Sequence, residues 1–154
     1  MEARMKHPIF VLPDAFTALQ NLSKAAAQSG ISKTVVDLAT LRASQINSCS
    51  VCVLMHAKDL RESGESEQRV WAVAAWRDTA LFTDAERAAL ELAEALTRQA
   101  DHGDPVSDEL WGELTKHFSE SELSGLLVSI AAINVWNRLN AATRQPVPVS
   151  EGAA

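Results

Sequence analysis

The sequence predicts an all-α protein. Three observations point there. Ala, Leu, Glu, Gln and Arg are abundant from end to end, the apolar residues recur at helical spacing, and no alternating runs joined by hairpin turns occur. At 154 residues the chain has the length of about one domain, enough to bury a sizeable core. A 47% hydrophobic content is that of a globular protein rather than a disordered one.

The elements follow in order. A first helix is predicted from Asp14 to Gln28, closed by Ser29 and Gly30. Ser32 caps a second that runs to Asn47, where Asn47 and Ser48 break the pattern. A third spans Cys49 to Glu62 and stops near Gly64, and a fourth covers Glu67 to Thr79. Thr83 and Glu86 have capping-box form and start a fifth helix ending at Gln99. The stretch from His102 to Pro105 follows, and then Ser107 caps a short helix to His117. Ser119 and Glu122 repeat the capping-box pattern at the head of a long helix to Thr143, which Pro146 and Pro148 cannot continue. Residues 1–145 are therefore expected to form one helical domain and 146–154 a flexible tail. The last helix is apolar nearly all round from Leu123 to Leu139, so it is expected at the centre of the fold or at a subunit interface.

Charge and composition exclude several functions. A net charge of −6 with no run of Lys and Arg argues against nucleic acid as a partner. No stretch approaches the roughly 20 apolar residues of a membrane helix, and Ile9 to Leu12 is too short for a secretory signal before Pro13 interrupts it. The expected location is the cytoplasm. In a reducing compartment a CxxC pair is more readily catalytic or metal-binding than a structural disulfide.

Cys49 and Cys52 are that pair, and His56 follows four residues on. On one helix the three fall at i, i+3 and i+7, along one face. The free N–H groups of the first turn favour an anion, and His56 is placed to take the proton of Cys52. If helices two and three fold back on each other, position 37 lies opposite 58 or 59, which brings Asp37 within about a turn of His56. The spacing thus suggests an Asp37–His56–Cys52 relay with Cys49 as the second thiol. Structural zinc wants four ligands, and His102 and His117 offer no paired spacing. A c-type haem needs histidine where Val53 stands, and a thioredoxin-like fold needs strands. No metal and no organic cofactor is expected. The plain alternative is two buried cysteines beside a core histidine.

The stretch from Leu41 to His56 resembles the signature of the AhpD-like alkylhydroperoxidases of the carboxymuconolactone decarboxylase superfamily. Trp76 to Asp78, Leu81 to Leu90, Glu94 to Thr97 and Ile133 to Leu139 extend the likeness, which covers about residues 36 to 146. The resemblance implies an AhpD-like all-α fold and a homo-oligomer, commonly a trimer or hexamer. It also implies reduction of a small hydroperoxide, followed by reduction of the protein by an external thiol reductant of unknown identity. It matches Cys52 to the thiolate oxidised to sulfenic acid, Cys49 to the resolving thiol and His56 to the relay histidine. Asp37 stands where the family usually has glutamate; the reach is one methylene shorter, and a water bridges the gap. Val51 replaces a polar residue and Ser48 a glycine.

Three rival readings stand beside it. One is thiol–disulfide exchange or redox sensing with weak peroxidase activity. The second is the decarboxylase chemistry of the superfamily, which does not depend on a cysteine pair, so the cysteines speak against it. The third is a non-catalytic helical assembly module. The remaining aromatic and polar residues have structural readings. Trp71, Trp76, Trp111 and Trp136 read as core or interface packing, Arg77, Glu86 and Arg87 as caps and ion pairs, and Asn134 and Asn137 as amides on helix ends. His7, His102 and His117 read as surface residues.

Overall fold

A computed structural model describes residues 2–147, and every regular element among them is helical. The helices are α1 (Pro8–Val11), α2 (Pro13–Ala27), α3 (Lys33–Ile46), α4 (Ser50–Glu62), α5 (Glu67–Ala72), α6 (Asp84–Thr97), α7 (Asp108–His117) and α8 (Glu120–Thr143). The tail expected from residue 146 lies, from 148 onward, outside the described residues.

Helix α3 is the hub. It packs against α4, α6 and α8, while α2 lies along α8. Between α3, α6, α7 and α8 sits the larger core, with Ala39, Ala89, Leu92, Leu114, Leu126 and Ile130 fully buried. A second core of Leu38, Leu41, Leu60, Val73, Trp76 and Leu90 fills the space toward α4 and α5. Each leucine so buried contributes about 1.5–3 kcal/mol. The α2–α8 approach is set by Gly125. A Cβ there would stand 2.0 Å from Ser29 Oγ and 2.8 Å from the Ala26 carbonyl oxygen, so only a bare Cα lets the helices close.

Both predicted capping boxes form. Thr83 and Ser119 accept from the N–H groups of Glu86 and Glu122, whose carboxylates return bonds to the cap backbone. The expected helix from Glu67 to Thr79 does not run through. After Ala72 it tightens into a 3₁₀ stretch, Val73–Asp78, broken at Ala75 (φ −127°, ψ 35°). The break turns Trp76 inward, where its Nε1 donates to Glu94 Oε1 at 2.9 Å. Arg87 gathers the carbonyls of Trp76 and Thr79 that the helix leaves free, at 3.1 and 3.0 Å.

One packing expectation needs correction. His7 is buried, not on the surface; its Nδ1 accepts from the Ile9 N–H at 3.2 Å and its ring lies against Phe10 and Trp136. The reason is the short helix α1, which Pro8 starts and the sequence pattern did not signal. Trp76 is core, but Trp71 and Trp111 are 71% and 44% exposed. His117 lies on the surface as expected, paired with Glu113 at 2.9 Å. None of the helices is long and apolar enough to cross a membrane.

Candidate active site

The turn between α3 and α4 creates the site. Helix α3 ends in a pair of reversed hydrogen bonds, Ser48 N–H to the Gln45 carbonyl at 3.1 Å and Cys49 N–H to the Ser44 carbonyl at 3.0 Å. This is the pattern of a helix closed by one left-handed residue, and Ser48 supplies it at φ 54°. That single residue reverses the chain and sets Cys49 in extended conformation at the N-cap of α4. Cys52 follows in the first turn.

Both sulfurs are reduced and buried, packed with Ala43 and Ile133. They share a donor that sequence reasoning missed, since Asn140 Nδ2 lies 3.5 Å from Cys49 Sγ and 3.3 Å from Cys52 Sγ. The two thiols act on each other. The Cys52 S–H donates to Cys49 and lowers its pKa from 9.0 to about 6; burial opposes this, and the Cys52 backbone N–H, Asn140 and Asn137 assist. Cys52 moves the other way, raised first by its hydrogen bond to Cys49 and then by burial. The two thiols titrate as one coupled pair, whose first ionisation leaves one thiolate and one thiol.

His56 is mostly buried one turn beyond Cys52. Its Nδ1 is 3.3 Å from Thr40 Oγ1 and 3.9 Å from Asp59 Oδ2, and its Nε2 is buried with no hydrogen-bond partner among the described residues. No hydrogen bond joins it to Cys52. Burial pushes the imidazole below its ordinary value, against the pull of Asp37 and Asp59. At neutral pH the ring is therefore uncharged and able to accept a proton. Asp37 is buried on α3 and ion-paired with Lys33 at 2.5 Å. Its carboxylate, one ring nitrogen of His56 and the Asp59 carboxylate lie within 4.8 Å of one another. Asp37 and His56 do not hydrogen-bond directly. These three side chains also have the donor set of a divalent-cation site, but Lys33 already neutralises Asp37 and competes for it.

Two cavities flank the site. One of about 400 Å³ has apolar walls, including Ile31, Val36, Ile133 and Trp136, with Lys33, Asp37 and His56 at one end. A smaller one of about 260 Å³ has Cys49 in its wall together with the polar side chains of Ser48, Asn140, Arg144 and Gln145.

The comparisons with known proteins agree with this construction. The profile of the carboxymuconolactone decarboxylase family matches residues 13–95, which hold α2 through most of α6. The chain belongs to that family. YdfG of Bacillus subtilis (strain 168), itself uncharacterised, is 35% identical over 132 residues, 86% of this chain and 88% of that one. YnjA of Escherichia coli (strain K12), also uncharacterised, is 34% identical over 119 residues, 77% of this chain and 64% of that protein. Among solved structures, ATU0492 of Agrobacterium tumefaciens superposes with a TM-score of 0.88 at 36% identity, covering 97% of this chain and all of that one. That protein is of unknown function and has been put forward as an antioxidant defence protein, AhpD. The debrominase Bmp8 shares the fold at a TM-score of 0.77 and 22% identity, over 89% of this chain and 73% of its own. The fold is thus the AhpD-like all-α fold, with its CxxC at the start of α4.

Of the residues singled out in the sequence, Cys49 and Cys52 meet each other, and Asp37 and His56 meet across α3 and α4. The signal for Asn140 was present: Asn134, Asn137 and Asn140 stand three apart on an otherwise apolar helix, which places three amides on one face. Thr40 and Asp59 carried no signal that separates them from ordinary surface residues.

Proposed function

We propose that the protein reduces hydroperoxides with the Cys49–Cys52 pair. The observation that carries this reading is that both reduced sulfurs lie at the start of α4 within reach of one amide, so that one can be activated while the other stands ready to close on it. A thiolate attacks the peroxide O–O bond, the alcohol leaves, and the attacking sulfur becomes sulfenic acid. The second thiol attacks that sulfur, expels water and forms the disulfide. The sum is two thiols and ROOH going to disulfide, ROH and H₂O. An external dithiol returns the pair to its reduced form by exchange.

The resemblance gives the attack to Cys52, and the two thiols ionise as a coupled pair. His56, neutral and backed by Asp37 through a water, is the base that accepts the proton released. The apolar cavity ending at His56 suits an organic hydroperoxide, its carbon tail against Ile133 and Trp136. The exposed side chains of Leu54, Met55 and Val135 offer apolar surface to a second copy of the chain; light scattering of the purified protein reads the subunit number.

Intact-mass analysis after one equivalent of cumene hydroperoxide tests the chemistry. Wild type is expected to lose two mass units as the disulfide forms. Cys52→Ser is expected to lower peroxide consumption by at least 100-fold, and Cys49→Ser to hold a sulfenic acid that dimedone traps. A trapped sulfenate on Cys49 in the Cys52 variant would exchange the two roles, and unchanged turnover in both variants would remove the proposal.

The cavity at Cys49 supports a second reading, direct thiol–disulfide exchange with another molecule. Comparing second-order rates for peroxide and for a small disulfide separates the two. Decarboxylase activity would survive loss of both cysteines.

A further inference from the structure

We propose that Asn140 is a catalytic residue of the dithiol site, whose amide holds the sulfur anion and stays with it whichever cysteine carries the charge. The proposal rests on the redox reading above.

The three asparagines of α8 are used differently. Asn134 Nδ2 donates to Thr97 Oγ1 at 3.2 Å and to the Ile130 carbonyl at 2.9 Å. Asn137 Nδ2 donates to Ser44 Oγ at 3.2 Å. The carbonyl oxygens of both accept from Asn47 Nδ2 at 2.9 Å. These two amides satisfy the protein's own polar groups and tie α8 to the turn that precedes Cys49. Among the described residues Asn140 Nδ2 has no partners except the sulfurs. Its position completes the ladder, but its bonding contributes nothing to fastening the fold.

The two sulfurs need such a donor. Both are buried, which penalises a thiolate. No Lys, Arg or His side chain hydrogen-bonds to either; Arg144 lines the wall of the same cavity without an ion pair among the described residues. The influences on both sulfurs are each other, burial and the amides of Asn140 and Asn137. A primary amide carries two N–H groups, one for each sulfur. A bond from N–H to an anion is roughly twice as strong as one to a neutral acceptor. Asn140 therefore favours the reduced, ionised pair over the disulfide, whose sulfurs are weak acceptors. Being half-exposed beside the cavity that Cys49 lines, it also holds the anion where a small molecule can reach it.

The test uses reduced protein and no peroxide. Iodoacetamide labelling rates are measured against pH, and the dithiol–disulfide equilibrium is measured in dithiothreitol buffers. Wild type is expected to label with a midpoint near pH 6. Asn140→Leu, which keeps the volume and loses the donor, is expected to raise the midpoint by about one pH unit, a tenfold loss of thiolate at a given lower pH. It should also move the redox equilibrium about tenfold toward the disulfide. Asn140→Asp, of the same shape but with a carboxylate at the sulfurs, is expected to raise the midpoint further, and it serves alone if the leucine variant does not fold. A midpoint and a redox equilibrium unchanged in a folded variant would overturn the proposal. A role in packing alone would change the melting temperature and leave both readouts in place. Because no peroxide enters the assay, a wild type that consumes none removes the proposed function without touching this result.

Discussion

One helix, α3, serves two buried polar clusters that are finished in opposite ways. Toward α6, Arg42 donates to Glu94 at 2.7 Å, and the same carboxylate takes Trp76 at 2.9 Å, Arg77 at 2.6 Å and Arg98 at 3.1 Å. Burial alone would raise Glu94; these donors instead hold it down at about 2. Toward α4, the polar groups are left incomplete. His56 Nε2 has no partner among the described residues, and one amide is divided between two thiols. A satisfied cluster locks geometry and has nothing left to give a substrate. An incomplete one keeps open valences in a low-dielectric setting, where perturbed ionisation marks chemistry.

The largest effect expected from this contrast is at Glu94. Glu94→Gln leaves three guanidiniums facing a neutral amide. It is expected to destabilise the protein by about 3 kcal/mol, the size of a carboxylate held roughly 2.5 units low, while the thiol labelling midpoint stays in place. Urea unfolding and iodoacetamide titration of the same sample check both halves. Since the folded value is depressed, the stabilisation is complete above the unfolded value of 4.5 and is lost as the pH falls from there toward 2. In the glutamine variant that acid-induced loss should shrink. Equal destabilisation at pH 7 and pH 3 would show that packing, not charge, holds the cluster together.

A smaller and opposite effect is expected at His56. Its folded value is depressed by burial, so native stability is lost as the pH drops below the ordinary histidine value of 6.5. A buried nitrogen without a partner costs about 1–3 kcal/mol. His56→Leu should therefore stabilise the protein by about 1 kcal/mol at pH 7, and by more at pH 5, while peroxide turnover falls at least tenfold. Thermal melts at the two pH values with turnover on the same preparation would test it. A variant that is less stable and equally active would mean that the imidazole is a structural group and that the contrast between the clusters is false.

How much of this was legible beforehand depended on whether the signal was local. Helix starts were readable at Thr83 and Ser119 because a capping box is written within four residues, and the CxxC and His56 were readable because one helical turn relates them. The 3₁₀ break at Ala75 was not, because its cause is Glu94, some twenty residues away and drawing Trp76 inward. The burial of His7 was hidden for the same reason: this residue caps a single-turn helix and its ring packs on Trp136, far along the chain on α8.

The smallest effect concerns the turn that makes the site possible. Helices α3 and α4 end in the same way, with a left-handed residue followed by a six-to-one hydrogen bond, Cys49 to Ser44 in one case and Glu65 to Leu60 in the other, both at 3.0 Å. In α4 the left-handed residue is Gly64 at φ 93°; in α3 it is Ser48 at φ 54°. A side chain there costs about 1 kcal/mol, so the turn that places the thiols carries strain that the turn remote from them does not. Ser48→Gly is expected to stabilise the protein by about 0.5–1 kcal/mol, part of the relief being offset by the added freedom of the unfolded chain. Gly64→Ser should cost about as much as the first change gains. Denaturant midpoints of the two single variants and the pair decide it. If Ser48→Gly is neutral while Gly64→Ser is costly, the serine hydroxyl offsets its own backbone strain and the two turns are not equivalent.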